Sequence, residues 1–176
     1  MKSFRNIFFW LCLLFGLGAD GYSQTGVSVS ATGQVIAEVI PVFSATETSQ
    51  LNFGRFSPGP QGGEIILTPE SAISVLGNVR AAPGLHNAAS FYLSGDPNAS
   101  FTVSLPREPV VLRHVSTAKT MIIDDWVSLP GTAAGAGILV NGEQTVLIGA
   151  TLKVGSIEDN PVGIYSGSYI VTFDFN

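Results

Sequence analysis

Apolar and polar residues alternate along much of the chain after residue 24. The alternation is clearest in the last fourteen residues, Gly163–Asn176, where odd positions are aromatic, β-branched or glycine and most even positions are polar. A period of two is typical of a β-strand with one buried face. We therefore predict that this segment is a central strand, with an inward face formed by Gly163, Tyr165, Gly167, Tyr169, Val171, Phe173 and Phe175.

A second long alternation, Val27–Val39, lies just before Pro41. Its odd positions are apolar or small, and every even position except Ile36 is polar, so it is also predicted to be a strand. Gly33 lies in its middle, where we expect a bulge or a close approach of another backbone. The first inward residues of this strand are Val27, Val29, Ala31, Gly33 and Val35.

Shorter alternating stretches fill the region between these two segments, and no amphipathic helical period of useful length is present. Residues 57–63 are rich in Pro and Gly and predict a turn, while residues 95–98 predict the turn of a hairpin joining strands at 90–93 and 100–105. Together the patterns predict an all-β fold, an antiparallel sandwich of about seven to nine strands. Residues 24–176 are expected to form this single domain, with further strands at 50–56, 64–68, 72–76 and 145–154.

The first 23 residues are predicted to be a signal peptide. Lys2 and Arg5 precede the apolar run Ile7–Leu17, and small residues near position 22 favour cleavage before Gln24, with Ala19 as the alternative site. The run is too short to span a bilayer comfortably. The mature protein is therefore predicted to be exported, that is, secreted, periplasmic or at the cell surface, with no membrane-spanning segment after signal removal.

Charge and cysteine content argue against two classes of function, nucleic-acid binding and thiol chemistry. Eight basic and thirteen acidic residues, with 12% charged overall, give no basic patch, which argues against a nucleic-acid partner. The only cysteine, Cys12, lies in the predicted signal peptide, so the mature chain has no thiol for disulfides, nucleophilic catalysis or metal binding.

Few residues of the sequence are candidates for catalysis or metal binding. His86 and His114 have no partners at metal-ligand spacing and are predicted to be surface or loop residues. Asp124 and Asp125 should point to opposite faces of a strand, which argues against a catalytic carboxylate pair, and Trp126 is expected to be a core residue. No nucleophile elbow or phosphate-binding loop occurs. We predict a protein that is not an enzyme and has no catalytic residues, cofactor or metal.

Several segments resemble known families. The Leu51–Gly54 block, the strand Phe101–Leu105 and the closing Gly163–Phe173 segment resemble the spore coat protein U family of secreted pilins. Thr145–Leu152 together with Gly163–Asn176 is more similar to an exported bacterial family, the domain of unknown function DUF4402. The resemblance implies an immunoglobulin-like or pilin-like sandwich.

Pilins assembled by a chaperone and an usher end in a similar tail, with a glycine fourteenth from the end and a penultimate aromatic residue. Gly163 and Phe175 hold these positions here. The resemblance implies that the tail pairs with a strand of a periplasmic chaperone and then with the N-terminal strand of another subunit. It also implies that Val27–Val39 is the donated strand.

Three functional hypotheses follow. The first is a secreted, non-enzymatic structural or adhesive surface protein that is pilin-like, or fimbrial, and assembles by strand complementation with other protein subunits. The second is a monomeric cell-surface module that binds glycan or matrix, and the third is a small outer-membrane β-barrel. For the first hypothesis the assembly residues are Val27, Val29, Ala31, Gly33, Val35, Gly163, Tyr165, Tyr169, Val171, Phe173 and Phe175.

Overall fold

The computed structural model describes residues 26–40, 42–131 and 137–176 of the protein, so the predicted signal peptide lies outside the described residues. Among these residues there is no helix, and hence none that could span a membrane. They form eleven strands, all paired antiparallel. The strands are β1 (Ser44–Ser49), β2 (Arg55–Leu67), β3 (Ile73–Ala82), β4 (Ala89–Ser94), β5 (Ser100–Ser104), β6 (Val110–His114), β7 (Thr120–Leu129), β8 (Gly137–Ile138), β9 (Glu143–Val154), β10 (Tyr165–Ser166) and β11 (Thr172–Phe175).

Strand β9 is the centre of an eight-stranded sheet because it pairs with three other strands. Along one edge it pairs with β4 through residues 143–148 and with β2 through residues 150–154. Along the other edge it pairs with β7. Strand β1 continues the sheet from β4, β3 continues it from β2, and β6 and then β10 continue it from β7. The middle of β9, residues 148–152, is accordingly buried on both faces.

A second sheet of three strands has the order β11-β5-β8. The two sheets make an antiparallel β-sandwich, which confirms the predicted fold class. Its core has two parts. Cluster A consists of Phe53, Ile65, Leu67, Val79, Met121, Ile123, Ala150, Leu152 and Val154. Cluster B consists of Ala89, Leu93, Phe101, Val103, Leu139, Val146 and Ile148.

The two clusters differ in how they are covered. Cluster B takes Phe101 and Val103 from β5, so both sheets contribute to it. Cluster A takes all its buried residues from the eight-stranded sheet except Phe53, which lies between β1 and β2. No buried residue of cluster A therefore comes from the three-stranded sheet.

The predicted strand at Val27–Val39 is not formed. Residues 26–40 contain no strand, and their side chains are exposed, with Val27 at 86% and Val35 at 95%. Ala31 and Gly33 are exposed as well. The alternation defines one apolar face, but a strand also needs a neighbouring backbone to pair with. That requirement is not visible in the sequence of a single segment.

The single C-terminal strand predicted over Gly163–Asn176 is also wrong. The segment forms two short strands, β10 and β11, separated by residues 167–171. Strand β10 pairs with β6 in the eight-stranded sheet, whereas β11 pairs with β5 in the other sheet. Residues 167–171 between them belong to no strand, so the predicted strand is interrupted, and the total of eleven strands exceeds the seven to nine predicted.

Two predicted turns have other roles. Residues 57–63 lie inside β2, whose pairing with β3 shifts register between Pro58 and Gly63. Gly62 is needed for close contact, since a Cβ there would lie 2.3 Å from the Val154 carbonyl oxygen. Residues 95–98 do not close a hairpin, because β4 and β5 belong to different sheets. Gly95 instead donates its N–H to Gly142, in the connection that leads into β9.

We predict that Gly149→Ala destabilises the fold by about 2 kcal/mol or more, because a Cβ at this position would lie 2.1 Å from the Leu67 carbonyl oxygen in the paired centre of the sheet. Gly131→Ala is the matched control, since a Cβ there has no neighbour within 4 Å. It should change stability by no more than about 0.5 kcal/mol. Urea denaturation of both variants tests this, and equal stabilities would contradict the close packing around β9.

Candidate functional site

The C-terminal segment, Gly163–Asn176, borders a wide groove. This groove, with a volume of about 1420 Å³, has one wall formed by residues 160–171 and another formed by residues 50–58. Its floor is the face of the eight-stranded sheet that carries cluster A, where Met121, Ile123 and Leu152 are buried. The groove therefore lies over the part of the core to which the three-stranded sheet contributes no buried residue.

The backbone along the groove wall is only partly paired. Residues 167–171 belong to no strand, and β11 pairs with β5 alone, so β11 forms one edge of its sheet in the described part of the chain. An edge strand presents a row of backbone N–H and C=O groups that another strand can pair with. The groove ends where this free edge begins.

Side chains of the C-terminal segment alternate in burial, with a period of two. Tyr165, Tyr169 and Val171 are half-buried and line the groove. Phe173 and Phe175 continue the same face but pack against cluster B. The Phe173 ring lies 5.6 Å from Phe91, and the Phe175 ring stacks on Phe43 at 4.5 Å.

Two polar atoms in this region have no hydrogen-bond partner in the described residues. They are the Tyr169 hydroxyl and Trp126 Nε1, whose rings lie 4.7 Å apart. Burial, with a smaller contribution from the Glu47 carboxylate, raises the pKa of Tyr169 to about 12. A buried hydroxyl without a partner is costly, and a ligand in the groove could supply one. Trp126, predicted to be a core residue, is half-buried and packs against both clusters.

His114 was predicted to be a surface or loop residue, but it ends β6 and is only 8% exposed. Its Nδ1 accepts hydrogen bonds from the backbone N–H groups of Ser116 and Thr117, and its Nε2 contacts the Val162 carbonyl oxygen at 3.2 Å. The ring fixes the start of the C-terminal segment to β6. Gly163 is required here, because a Cβ would lie 1.9 Å from Nε2.

Asp124 and Asp125 do not point to opposite faces, because β7 contains a bulge between Asp124 and Val127. Both carboxylates lie near Lys153 Nζ, at 3.6 and 3.5 Å, and Glu64 lies closer still at 2.7 Å. Burial raises the pKa of Asp124, and the Lys153 ammonium opposes this. The cluster is a partly exposed ion-pair network. The described residues contain no group of three or more His, Cys, Asp or Glu side chains suited to a metal ion.

The predicted assembly residues fall into two sets. Tyr165, Tyr169 and Val171 line the groove, as does Gly163 beside His114, while Phe173 and Phe175 lie deeper against cluster B. The N-terminal set lies exposed in residues 26–40 and comprises Val27, Val29, Ala31, Gly33 and Val35.

Sequence reasoning missed the groove floor and His114. The only signal for His114 was the period-two series Val110, Leu112 and His114, which places it on the inward face of β6.

Comparison with known families gives one match. The family described as Domain of unknown function (DUF4402) matches residues 43–175. The chain belongs to the DUF4402 family. This confirms the membership predicted from Thr145–Leu152 and the C-terminal segment. The DUF4402 span contains all eleven strands and begins after residues 26–40. Searches of curated proteins and of solved structures gave no match.

The two groove tyrosines of this DUF4402 domain should respond differently to loss of the hydroxyl. The Tyr165 hydroxyl donates a hydrogen bond to the Pro161 carbonyl oxygen at 3.0 Å, so Tyr165→Phe should cost about 1 kcal/mol. Tyr169→Phe removes a hydroxyl without a partner and should leave the stability of the monomer unchanged or raise it slightly. Urea denaturation at neutral pH measures both. An equal loss in the two variants would show that the Tyr169 hydroxyl is already satisfied.

Proposed function

We propose that this protein is an exported, non-enzymatic structural or adhesive subunit at the bacterial surface, and that it assembles by accepting a strand from another copy. The observation that carries the proposal is the groove over cluster A, which has an apolar floor and ends at the free edge of β11. Main-chain pairing along an edge and side chains seated in a groove are the two elements of strand addition.

The wall of the groove suits an extended chain. Residues 167–171 and β11 together span nine residues, which is about 30 Å of extended backbone. A strand laid beside them would extend the three-stranded sheet over cluster A. Its backbone would pair with the free edge of β11, and it would bring polar groups close to the Tyr169 hydroxyl.

Residues 27–39 of a second copy are the proposed occupant. The segment alternates like a half-buried strand, yet its apolar side chains are exposed, including Val29 at 88% and Val39 at 95%. A contiguous set of exposed β-branched residues is a marker of an interaction surface. In the groove, the odd face would be buried and the even face, mostly Ser, Thr, Gln and Glu, would face solvent.

The resemblance to spore coat protein U and to pilins of the chaperone and usher type supports this proposal. It rests on the Leu51–Gly54 block and on the positions of Gly163 and Phe175. It is also the source of a second proposed partner, a periplasmic chaperone that would occupy the same groove before assembly. The predicted signal peptide supports export to the compartment where such partners work.

Two mature proteins, residues 24–176 and residues 41–176, test assembly by size-exclusion chromatography with light scattering. We expect the longer protein to form concentration-dependent oligomers and the shorter one to be a folded monomer, because it keeps both core clusters but lacks the donor. The shorter protein should bind an added peptide of residues 27–39. A peptide of the same composition, in which the apolar residues are grouped together so that the alternation is lost, should not bind.

Neighbouring residues of β6 provide matched groove variants. Val110 lines the groove, whereas Val111 is 42% exposed and does not line it. Val110→Asp should weaken peptide binding by about tenfold or more, since a carboxylate would be buried under the strand, and Val111→Asp should not. If Val110→Asp fails to fold, the near-isosteric Val110→Thr replaces it. A monomeric longer protein that unfolds on truncation would contradict the proposal and favour a self-contained binding module.

A further inference from the structure

The groove that we propose to accept a strand carries one charge of each sign. Among the residues that line it, Glu47 is the acid and Arg55 is the base, and the others are apolar or uncharged polar residues. Both residues are exposed. In the described part of the chain neither forms a salt bridge, because every ion pair there involves Lys153. Both charges are therefore accessible to an incoming strand.

Glu47 lies at the end of the groove where the wall formed by residues 160–171, the C-terminal wall, ends. It pairs with Phe91 in the register of β1 and β4, and the Phe91 ring lies 5.6 Å from the ring of Phe173. Burial and, after it, the Glu47 carboxylate raise the pKa of Tyr169. The acid is therefore close to the last part of the C-terminal wall.

Arg55 lies toward the other end of the groove. Residues 57–58, which follow it in the opposite wall, line a second pocket together with residues 156–158. Those residues lead directly to Asn160, where the C-terminal wall begins. The C-terminal wall therefore runs from the Arg55 end of the groove to the Glu47 end.

The proposed donor also carries a charge, close to one of its ends. Residues 26–40 contain no Lys, Arg or Asp and a single Glu, which is Glu38. Glu38 belongs to the even face of the donor, which would stay in water beside the rim of the groove. An extended strand can enter the groove in two directions. Glu38 then lies toward either Arg55 or Glu47.

We infer that Arg55 and Glu47 fix the direction of the donated strand, with Glu38 of the donor beside Arg55 and the start of the donor at the Glu47 end. This inference rests on the proposed function, because it concerns the same groove and the same donor. Opposite charges meet in this direction, whereas the reverse direction brings two carboxylates together. Charges at the rim of an interface act on orientation and partner choice more than on affinity.

Backbone pairing favours the same direction. The C-terminal wall runs toward the Glu47 end, so a donor that runs toward the Arg55 end is antiparallel to it. All strand pairs of the described residues are antiparallel, including β11, which continues the wall, with β5. Antiparallel pairing is also slightly more stable per residue than parallel pairing.

Disulfide cross-linking between separate copies of the mature protein reads the direction. Ser28→Cys and Ile36→Cys label the two ends of the donor, and Gln50→Cys and Ser57→Cys label the Glu47 and Arg55 ends of the groove. We expect position 28 to join 50 and position 36 to join 57 about threefold more than the crossed pairs, a ratio typical of exposed ion pairs. The preference should fall at about 1 M salt, which screens exposed charges. Mass spectrometry of the linked peptides measures each pair.

Charge exchange supplies the matched variants. Arg55→Glu should reduce the preference, because Glu38 then meets an acid at both ends of the groove. Exchange of all three charges, by Glu38→Arg, Glu47→Arg and Arg55→Glu together, should restore the preference, which a merely structural role of Arg55 would not do. Arg80→Glu is the control and should keep the preference, since Arg80 lies opposite Ser57 in β3 but does not line the groove.

The outcomes separate this inference from the proposed function. If none of the four pairs cross-links, the proposed function fails, and the inference fails with it. If the crossed pairs dominate, strand donation stands and the inferred direction is overturned. If Arg55→Glu keeps the original preference, or if the triple exchange does not restore it, the role of the two groove charges is overturned.

Discussion

The open groove beside the C-terminal segment is the constraint on which the rest of this structure depends. Cluster B is enclosed by two sheets, but cluster A receives no buried residue from the three-stranded sheet, and a groove of about 1420 Å³ lies over it. The same region leaves the edge of β11 unpaired in the described residues and the Tyr169 hydroxyl without a partner. One added strand would cover the apolar surface of cluster A, pair with the backbone of β11 and offer the Tyr169 hydroxyl a hydrogen-bond partner.

Contacts at both ends of the C-terminal segment keep the groove open. The C-terminal segment is fixed at one end by β10 and the His114 hydrogen bonds, and at the other by pairing between β11 and β5. Phe173 and Phe175 anchor the second end in cluster B. Between these anchors, residues 167–171 cross from one sheet to the other. An edge held at both ends would need little ordering to pair with the strand that we propose.

The sequence predicted the fold class and the buried face of the C-terminal segment, because a period of two reports which side of a strand faces the core. The sequence pattern did not predict which alternating segments would find a neighbouring strand to pair with. The alternation of Val27–Val39 is as regular as that of the C-terminal segment, yet only the latter pairs within the described chain. The sequence pattern also did not show the register of strand pairing. The bulge after Asp124 brings two carboxylates to Lys153. Glycines at 62 and 63 allow close packing of neighbouring backbone and do not form a turn.

Disulfide mapping between two copies tests the central claim most directly, since the predicted mature chain has no cysteine of its own. Single cysteines would be placed at each position from 28 to 36 of a donor protein and at Val110 of the groove in an acceptor protein. The account predicts that cross-linking rises and falls with a period of two and favours the odd donor positions. Cross-linking that is absent, or equal at odd and even positions, would contradict it.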